Sequence, residues 1–241
     1  MPSHYRRYAA AALIYAAGFA YILLRWDAIP DPVPVHVGPT GEADGFAPKS
    51  LLSATGLLVI GIVISAAMPL CLPPQSLARR TVDVPAEDAL PFSETAALRV
   101  ERLCHASADL VSKIILALAA LSAVTNISIV VPDAALPFWL GLALWIGFTV
   151  YVVVVALRLT STKDGIDPDA EEQARNAQLR YQGGMGTYSA PNDPMVAAVL
   201  PSNPGKIAVN TAHAPGKHYL RRMPLGVVAT VVAGMAVAVA V

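Results

Sequence analysis

Five apolar stretches separated by polar segments of unequal length set the pattern of this chain. The first, 8–24, carries no charge, follows Arg6 and Arg7, and ends before Arg25 and Trp26. It is long enough to span a bilayer with its flanking arginines snorkelling, and it lacks the small-x-small step of a cleaved signal peptide. The second, 51–72, holds Gly61 and Ser65 one helical turn apart, a step that lets another helix approach closely, and Pro69 predicts a kink at its far end. Ser93 reads as the N-cap of a helix that runs from Glu94 without a break through the third apolar stretch, 114–131, a rod of roughly 38 residues and about 57 Å. Residues 132–137 allow only a tight turn before the fourth stretch, 138–157, which has Trp139 and Trp145 near its start and Arg158 at its end. The fifth, 225–241, lines up Gly226, Thr230, Gly234 and Ala238 one turn apart, as Ala12, Ala16 and Ala20 do in the first. Such small-residue stripes either close the bundle or dock a partner subunit.

Composition places these stretches in lipid. Of 241 residues 55% are hydrophobic and 14% charged, against about 25% charged in a soluble domain. The expected fold class is therefore all-α, a polytopic helical membrane protein with five transmembrane helices. Lysine and arginine orient it: Arg6 and Arg7, four arginines in 73–109 and eight basic residues in 158–222 fall on one side, while 25–49 has two basic and four acidic residues. The positive-inside rule then puts the N-terminus inside and the C-terminus outside a cell membrane, with the 25–50 loop facing out. The expected organisation is a two-span hairpin over 1–72, a cytoplasmic loop and helix extension over 73–109, a second hairpin over 110–158, a cytoplasmic loop over 159–222 and a final span over 223–241. Formal net charge is zero and no basic block is present, so nucleic acid is not an expected partner. Cys71 and Cys104 make no disulfide framework, and no metalloprotease, Cys-x-x-Cys or Gly-x-Ser-x-Gly pattern occurs. No catalytic residue, cofactor or metal centre is expected.

The densest local chemistry lies in 29–49. Prolines at 30, 32, 34, 39 and 48 with glycines at 38, 41 and 45 rule out a continuous helix or a central strand. Residues 29–35 are expected to run as stiff polyproline-like chain, with the glycines allowing reversals that return Glu42 and Asp44 towards His36. His36 with Asp31, Glu42 and Asp44 has four open readings: backbone hydrogen bonding with acids capping turns, recognition of a ligand or partner, a divalent metal, or an outside pH sensor. Thr125, Asn126 and Ser128 cluster in the third span, where they suit interhelical hydrogen bonds or a ligand. In the last polar segment Asp167 is expected to cap a short exposed helix with Pro168 at its first position and Gly183-Gly184 as its stop. The run Asp164, Asp167, Asp169 suits that capping better than a calcium loop.

Ile29-Pro30, Val33-Pro34-Val35-His36, Gly41, Asp44-Gly45 and Lys49, entered and left by predicted membrane helices, resemble the signature of the family known as domain of unknown function 1648. That domain also occurs in SdpI-like bacterial immunity membrane proteins. The likeness covers roughly residues 13–65, and Val37 stands where an aromatic is common. Residues 188–217 are similar, more loosely, to domain of unknown function 5808, with Ala and Val replacing the aromatics expected after Asn192-Asp193-Pro194 and beside Asn210. Physically this segment reads as turn, short strand, turn. The resemblance implies a plasma-membrane immunity or signalling protein that sequesters a toxic peptide or tethers a cytoplasmic regulator. The candidate residues for ligand or partner recognition in this loop are Pro30, Pro34, His36, Gly41, Glu42, Asp44, Gly45 and Lys49. Expected partners are the lipid bilayer and a peptide ligand or membrane protein. The alternatives are an accessory subunit of a larger membrane complex and, third, a small transporter or metal-dependent membrane enzyme.

Overall fold

The computed structural model describes residues 3–85, 87–161, 165–179 and 186–240. Six helices carry most of it: α1 (Ser3–Leu24), α2 (Leu51–Ala67), α3 (Glu94–Val130), α4 (Phe138–Ser161), α5 (Ala170–Leu179) and α6 (Ala214–Ala240). The all-α expectation needs correction, because two small sheets are present: β1 (Val33–Val37) with β2 (Ala43–Ala47), and a mixed sheet in the order β3 (Thr187–Tyr188), β5 (Ile207–Asn210), β4 (Ala197–Val199). Among the described residues, four helical segments are long and apolar enough to cross a membrane: Ser3–Leu24, Leu51–Leu77, Glu94–Val130 and Phe138–Arg158. The expected helix stop Gly183-Gly184, Asp164 and the side chain of Thr230 lie outside the described residues. The chain divides into two compact units.

The first unit comprises Met1–Pro69, Val111–Val154 and Gly226–Val241. The buried face of α1 is Ala11, Tyr15, Gly18 and Ile22. That is one position away from the alanine stripe: Ala12 and Ala16 are exposed, so they do not close the bundle. Gly61 on α2 makes the closest approach, since a Cβ there would meet Ser122 Oγ at 2.7 Å and Tyr15 Oη at 2.8 Å. Ser65 lies one turn on, its hydroxyl 3.0 Å from Tyr15 Oη. Asn126, buried on α3, grips one turn of α2: its Oδ1 accepts from the Leu57 and Leu58 amides at 3.1 and 3.4 Å, and its Nδ2 donates to Ala54 O at 2.8 Å. Among apolar surfaces such an amide is held in register by its partners, because leaving it unpaired costs about 1–3 kcal/mol. The membrane-length part of α4 buries none of its residues. In α6, Gly226 is buried, whereas a Cβ at Gly234 would meet nothing within 4 Å.

The second unit comprises Leu70–Leu110 and Val155–Leu225. Strand periodicity sends Ala197, Val199 and Val209 to one face with Val100 and Tyr219, and Ala198 and Ala208 to the other with Leu179 and Tyr188. Both faces are covered, which explains the unbroken apolar run 195–200. Ser93 caps α3 by accepting from the Ala96 amide at 2.9 Å. For α5 the cap is Asp169 rather than Asp167: its Oδ1 accepts from the Glu172 amide at 2.6 Å, and Pro168 precedes the cap instead of opening the helix. Nor is α5 exposed, since Glu172, Arg175 and Leu179 are buried. Arg175 and Asp193 form a fully buried bidentate pair, at 2.6 and 2.7 Å. Tyr188 Oη donates to Asp193 Oδ2 at 2.8 Å, and burial first, then the Asp193 charge, pushes this phenol well above its ordinary range.

Candidate functional site

Residues 29–49 fold as a two-stranded antiparallel hairpin, with Val33 opposite Ala47, Pro34 opposite Phe46, His36 opposite Gly45 and Val37 opposite Ala43. This corrects the polyproline expectation from Val33 onward. Proline cannot donate to a ladder, so it sits where both strands are edges and the register slips beside Pro34. The hairpin reverses at Gly41, whose φ of +88° suits glycine alone, and the Gly38 amide donates to Glu42 O at 2.9 Å.

Two glycines make room for a side-chain pair. His36 Nδ1 bonds Asp44 Oδ1. A Cβ at Gly45 would meet His36 Cβ at 2.8 Å, and one at Gly38 would meet Asp44 Oδ2 at 2.7 Å. The structure thus brings Asp44, and neither Glu42 nor Asp31, to the imidazole. Glu42 is exposed, as is Pro30. Asp31 instead accepts from the Lys49 amide at 3.1 Å. Among the described residues no three His, Cys, Asp or Glu side chains converge in a way that could hold a metal ion.

Lys49 closes the base of the hairpin. Its Nζ donates to Trp26 O at 2.8 Å and Ile29 O at 2.7 Å, and lies 5.1 Å from the centre of the Trp26 ring. Ser50 then starts α2 as an N-cap in a reciprocal pair with Ser53. An ion pair from Arg25 to Asp133 ties the end of α1 to the 3-10 turn Pro132–Ala134. Both ends of the hairpin are therefore fixed to helices.

Between the hairpin, α3 and the start of α4 lies a groove of about 530 Å³. Pro34, Val37 and Gly41 form one side and Phe138, Leu142 and Trp145 the other, with His36 at the rim. Gly41 packs directly on α4, since a Cβ there would meet Phe138 Cβ at 2.7 Å. Thr125 and Ser128 also line the groove, although the Ser128 hydroxyl already accepts from the Leu136 amide at 2.8 Å. A smaller cavity of about 180 Å³ between Pro34, α2 and α3 has Asn126 on its wall. An aromatic and aliphatic cleft with His36 at its rim and Thr125 and Ser128 on its wall suits a bulky apolar group carrying a hydrogen-bonding end. Sequence reasoning missed Phe138 and Leu142 as lining residues and took Trp145 for an interfacial aromatic. The glycine and proline spacing of the loop pointed to shape, but nothing local told which helix it would lie against.

Residues 13–68 match the family model described as Domain of unknown function (DUF1648). The match takes in the second half of α1, the whole hairpin and α2. Neither curated proteins nor solved structures gave a match to this chain.

Proposed function

We propose that this chain is a non-enzymatic, five-span protein of the cell membrane whose hairpin faces outward and recognises a ligand there, in an immunity or signalling role. The observation that carries the reading is the groove between the hairpin and α4, with His36, bonded to Asp44, at its rim. A ligand of this class is an apolar peptide segment that lays a large side chain against Phe138 and Trp145 and meets the polar pair with a hydrogen-bonding group. The fifth span is the apolar part of α6, and positive-inside counting orients all five. A transporter reading has less support, since the apolar cores of the spans hold no charged side chain to carry a substrate.

The test is photo-crosslinking from Thr40 in intact cells, with neighbours identified by mass spectrometry. The wild type captures a defined neighbour, and a His36→Ala, Asp44→Ala variant that still inserts loses it. Capture that is unchanged in the variant contradicts the reading.

A second reading, accessory subunit of a larger assembly, is favoured by the bare surface of α4 and the exposed Ala12 and Ala16 stripe. It predicts a stable partner after extraction in mild detergent, and a monodisperse monomer would contradict it.

A further inference from the structure

A second cavity, in the other unit, has a different character. About 350 Å³ in volume, it lies between the 3-10 turn Gln75–Leu77 and the first turns of α6. Arg80, His218 and Arg222 line it together with the Ser76 hydroxyl, and no carboxylate does. His218 and Arg222 are four residues apart on α6 and so share one face. Among the described residues no hydrogen bond or ion pair engages the side chains of Arg80, His218 or Arg222. Three other arginines of the same unit are paired: Arg79 with Glu94 and Glu101, Arg99 with Glu172, and Arg175 with Asp193.

The backbone that carries these free groups is nonetheless fixed. Arg80 O accepts from the Val196 amide at 3.1 Å, holding the turn to the sheet. Tyr219 is buried in the cavity wall, and its Oη donates to Cys71 O at 2.8 Å. Gly216 seats the start of α6 so closely on Asn210 O that a Cβ would lie 2.0 Å from it. Among the described residues no carboxylate lines the cavity to neutralise the two guanidinium groups. An arrangement of this kind is stabilised by an anion that takes several donors at once.

We propose that Arg80, His218 and Arg222 bind a phosphate-bearing anion. Guanidinium forks match phosphate oxygens, and the first turn of α6, whose Ala214 and Pro215 line the cavity, adds to the same positive field. A phospholipid headgroup is the favoured source. Arg222 comes three residues before the apolar part of α6, about 4.5 Å along the helix, which is where a headgroup meets a chain entering the bilayer. This source rests on the fifth span of the proposed function, whereas the anion chemistry does not.

The experiment uses the full chain and two probes. Native mass spectrometry after exchange into nanodiscs of phosphatidylcholine with or without phosphatidic acid reads the lipid arm. Phosphorus NMR of inorganic phosphate added to lipid-free detergent preparations reads the soluble arm. Retention of phosphatidic acid by the wild type is expected to weaken roughly 10- to 100-fold in R80Q/R222Q, the loss of charged hydrogen bonds. It should largely persist in R80K/R222K. Both arginines are exposed, so the unfolding temperature should be the same in all three proteins. Phosphate binding without lipid retention, lost in R80Q/R222Q, upholds the anion site and assigns it a soluble ligand, and it counts against the fifth span rather than the site. If R80Q/R222Q handles both probes as the wild type does, the proposal is overturned.

Discussion

Asp193 accepts from both Arg175 nitrogens, Tyr188 Oη and the Met195 amide with its side chain fully buried. Replacing it with alanine strands a buried guanidinium, at a cost of about 3–5 kcal/mol. Denaturant unfolding of the purified chain should therefore show D193A far less stable than Y188F, and equal midpoints would contradict the assignment. Asp169 gives a pH dependence. Desolvation alone would raise its carboxyl, but hydrogen bonds from the Glu172 and Thr95 amides and the Ser93 hydroxyl outweigh that and hold it below its ordinary 3.8. A carboxyl depressed on folding contributes stability above its unfolded value and loses it as pH falls through the folded one. An acid titration of unfolding should thus steepen below about pH 4, the ordinary carboxyl range, and Asp169→Asn should flatten that limb. At the hairpin, Lys49→Ala removes two charged hydrogen bonds and should lower stability by about 1.5–3 kcal/mol, while the exposed His36→Ala should leave it nearly unchanged. The return of Asp44 to His36 was legible because glycine spacing permits it. The burial of Glu172 and Arg175 was not, because a charge looks solvated until its partner, up to 77 residues away for Glu172, is seen.

At the scale of elements, length and hydropathy gave the long apolar helices and the unbroken α3, since each signal is contained in one stretch of chain. The packing faces were harder. Ala12 and Ala16 form a regular stripe, yet the neighbouring face with Tyr15 and Gly18 is buried, because contact depends on the partner helix as much as on small size. Gly61 and Gly147 provide the contrast. Gly61→Leu would drive a side chain into Ser122 and Tyr15, so overpacking should cost about 1–3 kcal/mol. A Cβ at Gly147 would meet nothing within 4 Å, so Gly147→Leu on α4 should gain about 1 kcal/mol of helix propensity. Thermal unfolding in one detergent compares the two directly, and a loss at Gly147 as large as at Gly61 would mean that α4 is covered. The hairpin escaped the sequence reading because prolines mask strand character, and pairing between 33–37 and 43–47 is set by the glycine reversal rather than by residue alternation.

On the whole molecule, two polar stretches far apart in sequence, Leu70–Leu110 and Val155–Leu225, meet in one unit with a sheet buried on both faces. No local pattern carries such a pairing, as its contacts join distant segments. The groove depends on tertiary placement in the same way: His36 and Gly41 stood out alone, but Phe138 acquires meaning only beside Gly41. The central claim is that this groove opens to the outside of the cell. Its most direct measurement is labelling of Thr40→Cys, with Cys71 and Cys104 replaced by alanine, using a membrane-impermeant maleimide on intact cells. The account predicts full labelling before any permeabilisation. Labelling that appears only once the inner surface is opened would contradict it.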